Sequence, residues 1–165
     1  MTTNSNSDIN SQVHFKRLGR ELAMQFLFQV DLTETNDEKM LDLFWEQAEA
    51  SGKFPGNRIF RKGREYAEKI IGFILADREK IDNIILAKSE KWNLDRMAAV
   101  DRNIMRVAVA EMLNLPDVPP IVSINEAVGI SKIYSSEKSG VFINGLLNAI
   151  KDDLDRPARE AVEKI

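Results

Sequence analysis

Cysteine is absent from the 165 residues of this chain, and histidine occurs once, at His14. Without cysteine, disulfides, zinc–thiolate sites and iron–sulfur clusters are excluded. His14 is the one histidine that could act as the base of a catalytic triad. We interpret His14 as a solvated residue, because it lies at the start of the first predicted helix. No histidine or carboxylate spacing typical of a metal site occurs. The sequence therefore predicts a protein that is not an enzyme, with no catalytic, metal or cofactor site.

Long apolar runs are missing as well, since no stretch approaches the roughly 20 apolar residues of a membrane-spanning helix. Residues 1–12 are polar and rich in Asn and Ser, without the basic start and apolar run of a secretory signal. The formal net charge of −3 argues against a protein that coats nucleic acid by charge alone. We expect a cytoplasmic protein without membrane contact and with a disordered tail over 1–12.

Period-two alternation is not sustained anywhere, whereas apolar residues recur at steps of three and four along most of the chain. These steps predict an all-α fold of seven helices joined by short loops. The predicted helices cover about 15–30, 37–50, 58–75, 77–88, 93–115, 123–134 and 138–153. A short tail follows at 155–165.

Capping residues and prolines mark the ends of the predicted helices, and glycines mark a place where two helices can pack closely. Asp77 is the expected cap of the fourth helix, and a capping box formed by Ser123 and Glu126 predicts the start of the sixth. Prolines from Pro116 to Pro120 end the fifth helix. Gly63 and Gly72 lack side chains inside the third helix, which lets another helix approach closely.

The first helix carries the most informative basic cluster, because Lys16, Arg17 and Arg20 lie within two turns with no acidic residue among them. Phe28 is on the same helix but off its apolar stripe. An exposed Phe beside such cations can stack on an unpaired base while the cations hold phosphates. In the alternative interpretation, Phe28 fills a gap between helices and the cations are ordinary surface residues.

The start of the last helix is a second candidate surface, with small hydroxyl residues from Ser135 to Ser139 around Lys138 and ahead of Phe142. Hydroxyls and free backbone amides at a helix start can meet phosphate. A capped helix start with a buried Phe142 explains the same residues without any ligand.

Several short motifs occur in a characteristic order. They are Arg20-Glu21-x-Ala23-x-Gln25-x-Leu27-Phe28, then Asp101-Arg102-x-Ile104-x-Arg106, then Asp117-Val118-Pro119, then Asn125-Glu126-Ala127-Val128, then Phe142-Ile143-Asn144-Gly145-Leu146-Leu147. In this order and spacing, over about 15–150, the chain resembles the NusB family of bacterial transcription antitermination factors.

The resemblance implies a compact NusB-like fold of two packed helical bundles, in one domain over 13–154 with subdomains at about 13–76 and 77–154. It also implies binding of boxA-type single-stranded nascent RNA together with NusE, a small-subunit ribosomal protein. Such a pair joins elongating RNA polymerase and other Nus factors, notably on ribosomal RNA operons. Some members of the family self-associate, so a homodimer stays open.

Carried over residue by residue, the resemblance implies two sets of contact residues. The RNA-binding set is Lys16, Arg17, Arg20, Phe28, Lys138, Ser139 and Phe142. The partner-binding set is Asp95, Asp101 and Arg102, where acidic positions suit a basic ribosomal protein.

The chain also departs from the family pattern, because Leu18 and Gly19 interrupt the basic start and Phe28 stands where a Tyr is common. Fewer cations give fewer phosphate contacts and a shallower salt dependence. Two alternatives to antitermination therefore stay open. One is a stand-alone RNA-binding module of the same fold, and the other is a protein-binding adaptor.

Overall fold

The computed structural model describes residues 4–33, 38–52, 58–89 and 97–161, and in these ranges the chain forms six helices and no strand. The prediction of an all-α fold is confirmed. The helices are α1 (Asn4–Thr33), α2 (Glu38–Ala50), α3 (Arg58–Lys88), α4 (Ala99–Asn114), α5 (Pro120–Tyr134) and α6 (Glu137–Asp152).

The helix count differs from the predicted seven because α3 contains both the third and the fourth predicted helices. Inside α3, Asp77 has φ −128° and ψ 33°, which is outside the helical range, so the helix is kinked there. Asp77 is the residue expected to cap the fourth helix. At the other end of the chain, α1 begins at Asn4, inside the segment expected to be a disordered tail. Asn and Ser are weak but tolerated helix formers, which allows this extension.

The chain divides into two compact units, Met1–Lys69 and Ile70–Ile165, so α3 contributes residues to both. In the first unit, edge-to-face aromatic pairs link three helices. The ring centres of Phe26 and Phe44 are 5.6 Å apart, those of Phe44 and Trp45 are 5.0 Å apart, and those of Trp45 and Phe60 are 6.4 Å apart. Such contacts add to the hydrophobic burial of each ring, and they join α1, α2 and the start of α3.

A close crossing of α1 and α3 is set by two glycines. A Cβ atom added to Gly19 would lie 2.8 Å from the backbone oxygen of Gly63 and 2.9 Å from Tyr66. A Cβ atom on Gly63 would lie 3.1 Å from Leu18. The close approach expected at Gly63 is therefore present, whereas Gly72 has no atom within 4 Å of such a Cβ and is exposed.

In the second unit, α5 packs against both α4 and α6, and α4 also contacts α6. α4 is the most enclosed of these helices, because its residues from Asn103 to Met112 are all buried. A helix that is buried around its circumference must satisfy its polar side chains internally. Arg106 does so by donating to both oxygens of Asp82 on α3 and to the side-chain oxygen of Asn103.

The start of α5 corrects the predicted capping box. α5 begins at Pro120, with Pro119 as its cap residue. Proline is well suited to the first helical position, because the backbone amide that it lacks would have no hydrogen-bond partner within the helix there. Ser123 therefore lies inside the first turn, where its hydroxyl is buried without a hydrogen-bond partner. The prolines start this helix as well as ending the one before it.

After α6, Arg156 ties the chain back to the loop between α4 and α5. Its guanidinium donates to the carbonyl oxygens of Met112, Leu115, Pro116 and Val118 at 2.7–3.4 Å. Burial lowers the pKa of this guanidinium from its ordinary value, and nearby Asp117 opposes the shift. An arginine stays protonated in spite of such a shift, so the charge stabilises carbonyls at and beyond the C-terminal end of α4.

We expect Arg156→Ala to lower the free energy of unfolding by about 2 kcal/mol, because several carbonyl oxygens lose a charged donor. Arg156→Lys should recover only part of this loss, since an ammonium group cannot reproduce the planar fork of donors. Urea unfolding of the three proteins measures both values. Arg159→Ala, an exposed neighbour, is the control, and equal losses for Arg156→Ala and Arg159→Ala would contradict the anchoring role.

Candidate nucleic-acid interface

The N-terminal end of α6 is built by serines. The hydroxyl of Ser136 accepts a hydrogen bond from the backbone amide of Ser139 at 3.1 Å, which makes Ser136 the cap of the helix. The hydroxyls of Ser135 and Ser136 both donate to that of Ser139, at 3.0 and 3.1 Å. Ser139 in turn donates to Oδ2 of Asp101 at 2.8 Å. This chain of hydrogen bonds fixes the start of α6 against α4.

A cleft of about 300 Å³ lies at this junction, and we call it the α4–α6 cleft. Its lining residues are Met97, Ala98, Asp101, Ser136, Lys138, Ser139 and Phe142. The structure thus brings together three predicted RNA-binding residues, Lys138, Ser139 and Phe142, and one predicted partner-binding residue, Asp101. Phe142 is only half-buried, so part of its ring is accessible.

Two of the predicted residues of α1, Lys16 and Arg20, form a second group in the first unit, around the ring of Tyr66. The ammonium of Lys16 lies 5.9 Å from the centre of this ring, and the guanidinium of Arg20 lies 5.6 Å from it. Phe15 meets the same ring edge-on at 6.2 Å, and Lys62 lies 5.4 Å from the ring centre of Phe15. We call these five residues the α1 basic–aromatic cluster.

Exposure differs among the predicted residues of α1. Arg20 is only 3% exposed, so it is largely enclosed in the α1 basic–aromatic cluster. Lys16, Arg17 and Phe28 are half-buried, and Arg17 lies 3.9 Å from Glu21 one turn along the helix. Of the three cations, Lys16 and Arg17 therefore present more of their side chains to solvent than Arg20.

The remaining predicted partner residues have less structural context. Arg102 is half-buried on α4, and its backbone amide donates to the carbonyl oxygen of Ala98. Asp95 lies outside the described residues.

Three residues of the α1 basic–aromatic cluster were not predicted from the sequence: Phe15 on α1, and Lys62 and Tyr66 on α3. Lys62 and Tyr66 are four residues apart on α3 and therefore share a face. This spacing was the only sign in the sequence that Lys62 and Tyr66 belong to one surface. It did not identify the cluster, because the pattern of the third predicted helix also fits Tyr66 as a core residue. Only the glycine crossing of α1 and α3 brings this face against Lys16 and Arg20.

Two further properties concern the described parts of the chain only. No helix there combines the length and the apolar character needed to cross a membrane. Within the same residues, no three His, Asp or Glu side chains are grouped so that they could hold a metal ion.

Comparison with known proteins identifies the relatives of this fold. A sequence profile described as the NusB family matches residues 17–152. The chain belongs to the NusB family. It is 37% identical over 142 residues to the transcription antitermination protein NusB of Sorangium cellulosum, a match that covers 86% of this chain and 95% of that protein.

Solved structures of NusB give the same result for the fold. NusB of T. maritima superposes with a TM-score of 0.70 at 30% identity, covering 87% of this chain and 92% of the other. A NusB chain solved with NusE and double-stranded RNA superposes with a TM-score of 0.70 at 28% identity, covering 85% and 98%. The predicted NusB-like fold is confirmed.

Proposed function

We propose that this chain is a transcription antitermination factor that binds boxA-type nascent RNA together with the small-subunit ribosomal protein NusE. The observation that carries the proposal is its structural similarity, over 85% of its length, to NusB solved with NusE and double-stranded RNA. The antitermination protein of Sorangium cellulosum supports the same role. The bound pair would join the elongating RNA polymerase complex with other Nus factors, notably on ribosomal RNA operons.

The proposed RNA face uses the predicted residues of α1 in the first unit and those of the α4–α6 cleft in the second. In the first unit, Lys16 and Arg17 would hold phosphates, Phe28 would stack on a base, and Arg20 would orient the ring of Tyr66. In the second unit, Lys138, Ser139 and Phe142 would contact RNA at the α4–α6 cleft. Cations that hold phosphates and aromatic rings that stack on bases are the usual means of recognising single-stranded RNA.

The proposed partner face is on and before α4, with Asp95, Asp101 and Arg102 as its candidates. Acidic residues there would attract a basic ribosomal protein and orient it. When this chain and its partner bind the same RNA, the first contact raises the effective concentration for the second. A small basic patch on this chain is then enough for RNA binding by the complex. The proposed role is binding in the cytoplasm, with no catalytic step.

We expect the ribosomal partner to raise the affinity of the chain for a boxA-type RNA, and we expect Lys138→Ala to weaken binding of the complex to every RNA by a few-fold. The slope of log K against log salt should become shallower by about 1, because one phosphate contact is lost. Titrations at two salt concentrations measure both effects. Lys80→Ala, an exposed cation outside the proposed face, is the matched control.

Two results would redirect this assignment. If the partner binds without any gain in RNA affinity, the chain is a protein-binding adaptor. If the chain binds RNA equally well with and without the partner, it is a stand-alone RNA-binding module.

Phe28→Ala separates stacking from core packing on α1. A stacking residue should lose about ten-fold in RNA affinity, since a base–aromatic contact contributes about 1–3 kcal/mol. The melting temperature should stay near that of the parent protein, because the ring is only half-buried. A large fall in melting temperature with unchanged RNA affinity would place Phe28 in the core instead.

A further inference from the structure

Exposed apolar side chains lie where α1 ends and α2 begins. Leu32 on α1 is 65% exposed, and Leu43 on α2 is 52% exposed. The hydroxyl oxygen of Thr33 lies 3.8 Å from the sulfur of Met40, so the end of α1 contacts the first half of α2. Met40 is half-buried and lies one turn before Leu43. We call Leu32, Met40 and Leu43 the α1–α2 apolar patch.

Acidic side chains border this patch on α2. Asp42, Glu46 and Glu49 are exposed and follow one another at steps of four and three, so they form a stripe beside Leu43. Like charges at these spacings destabilise a helix. Arg64 on α3 offsets the charge of Glu49, because the two side chains lie 3.1 Å apart. The stability of α2 therefore does not account for Asp42 and Glu46.

The charge of the first unit changes sign along α1. The α1 basic–aromatic cluster is near Lys16, and Leu32 lies about 24 Å further along the helix, at about 1.5 Å per residue. The last turn of α1 has no basic residue, and the carbonyl end of a helix carries partial negative charge. The α1–α2 apolar patch thus lies in acidic surroundings, well away from the cations proposed to hold RNA.

We propose that the α1–α2 apolar patch, with Asp42 and Glu46 beside it, binds a basic amphipathic segment of a further protein in the elongation complex. The proposal rests on the proposed function, because that complex is the one the chain would join. Apolar residues of the segment would pack on Leu32 and Leu43, while its Lys or Arg side chains would meet the two carboxylates. The proposed RNA and partner faces use other residues, so this face stays open to a third component.

The charges of the patch favour this occupant over two others. The carboxylates of Asp42 and Glu46 would repel the phosphates of RNA. A second copy that used the same patch around a two-fold axis would bring these carboxylates against their own counterparts. A basic segment instead relieves the repulsion along α2, and its apolar residues remove Leu32 and Leu43 from water. Grouped apolar residues with a polar rim are typical of protein-binding sites.

The test compares the parent chain with Leu43→Ser and with the double variant Asp42→Lys, Glu46→Lys. The probe is a purified elongation complex that contains boxA-type RNA, NusE and the other Nus factors. We expect each variant to lose about ten-fold in affinity for this complex, as is usual for a central contact of an interface. Binding to boxA-type RNA and NusE without the polymerase should stay unchanged.

Leu86→Ser and Glu160→Lys are the matched controls, because both residues are exposed and lie outside the patch. They should keep the affinity of the parent chain for the elongation complex. Urea unfolding checks that every variant is folded. Equal affinities of the parent and both patch variants would overturn the inference. A loss of RNA and NusE binding in a folded patch variant would overturn it too, since the patch would then belong to the faces already proposed.

A photo-crosslinker in place of Leu43 identifies the occupant within the same complex. We expect it to capture a protein segment that has more Lys and Arg than Asp and Glu. Capture of RNA, of NusE or of a second copy of the chain contradicts the inference and leaves the proposed function intact. If the parent chain does not bind boxA-type RNA together with NusE, the proposed function fails, and the inference fails with it.

Discussion

Replacing Gly19 by alanine should destabilise the protein by about 3 kcal/mol, the upper part of the range for overpacked sites. The new Cβ atom would lie 2.8 Å from the backbone oxygen of Gly63 and 2.9 Å from Cβ and Cδ1 of Tyr66. A backbone oxygen and a Cβ atom cannot rotate away, so α1 and α3 must separate at their crossing. The midpoint of urea unfolding, at unchanged m-value, measures the loss.

Gly72→Ala is the matched control, because Gly72 also lies inside a helix but has nothing within 4 Å of the added atom. There the higher helix propensity of alanine should stabilise the protein by up to about 1 kcal/mol. The two substitutions are chemically identical and should have opposite signs. A similar small change for both would show that α1 and α3 do not depend on the glycine crossing.

The crossing also links stability to the proposed RNA face. Gly19 brings α1 close to Tyr66, and the cations of Lys16 and Arg20 lie over that ring. In the sequence, Gly19 reads only as an interruption of the basic run. Its role depends on Gly63, a residue on another helix, so no local pattern in α1 could have revealed it.

The helices themselves were largely predictable because apolar residues recur at steps of three and four along most of the chain. The predicted ranges of the second and third helices start within a residue of α2 and α3, and the family is confirmed. The capping box at Ser123 was wrong because two prolines upstream begin α5 earlier. A capping signal is local, and it loses to a proline that is already shaped for the first helical turn.

The candidate sites were harder to predict, because they join distant parts of the chain. Asp101 and Ser139 are 38 residues apart in sequence, and their hydrogen bond exists only because α4 packs against α6. The burial of Arg20 has the same origin, since the residue reads as a surface cation in α1 alone. The pattern of charges in the sequence indicates candidate residues for a binding face, but tertiary packing determines which of these side chains reach solvent.

The buried ion pair between Arg106 and Asp82 gives the second large prediction. The two side chains are 5% and 20% exposed, and the guanidinium binds both carboxylate oxygens at 2.7 and 3.0 Å. Arg106→Met removes the guanidinium that binds both oxygens of Asp82, together with the hydrogen bond that Arg106 donates to the side-chain oxygen of Asn103. We expect a loss of about 3 kcal/mol in the free energy of unfolding, because removal of one partner strands the other charge.

An exposed ion pair is the control for this effect. Arg64 and Glu49 lie 3.1 Å apart, but their side chains are 35% and 60% exposed. Glu49→Gln should therefore change stability by less than about 1 kcal/mol, as is usual for surface pairs.

The double variant Arg106→Met with Asp82→Leu shows whether the charge left behind causes the loss. Apolar replacement of both partners of a buried pair is often close to neutral, so the double variant should be more stable than Arg106→Met alone. A double-mutant cycle that includes Asp82→Leu gives the coupling energy. If the two losses simply add, the guanidinium acts through packing and not through Asp82.

The same variants should also affect RNA binding, because α4 carries Asp101, a proposed partner-binding residue. We expect Arg106→Met to weaken RNA binding by the complex, and we expect the double variant to restore RNA binding together with stability.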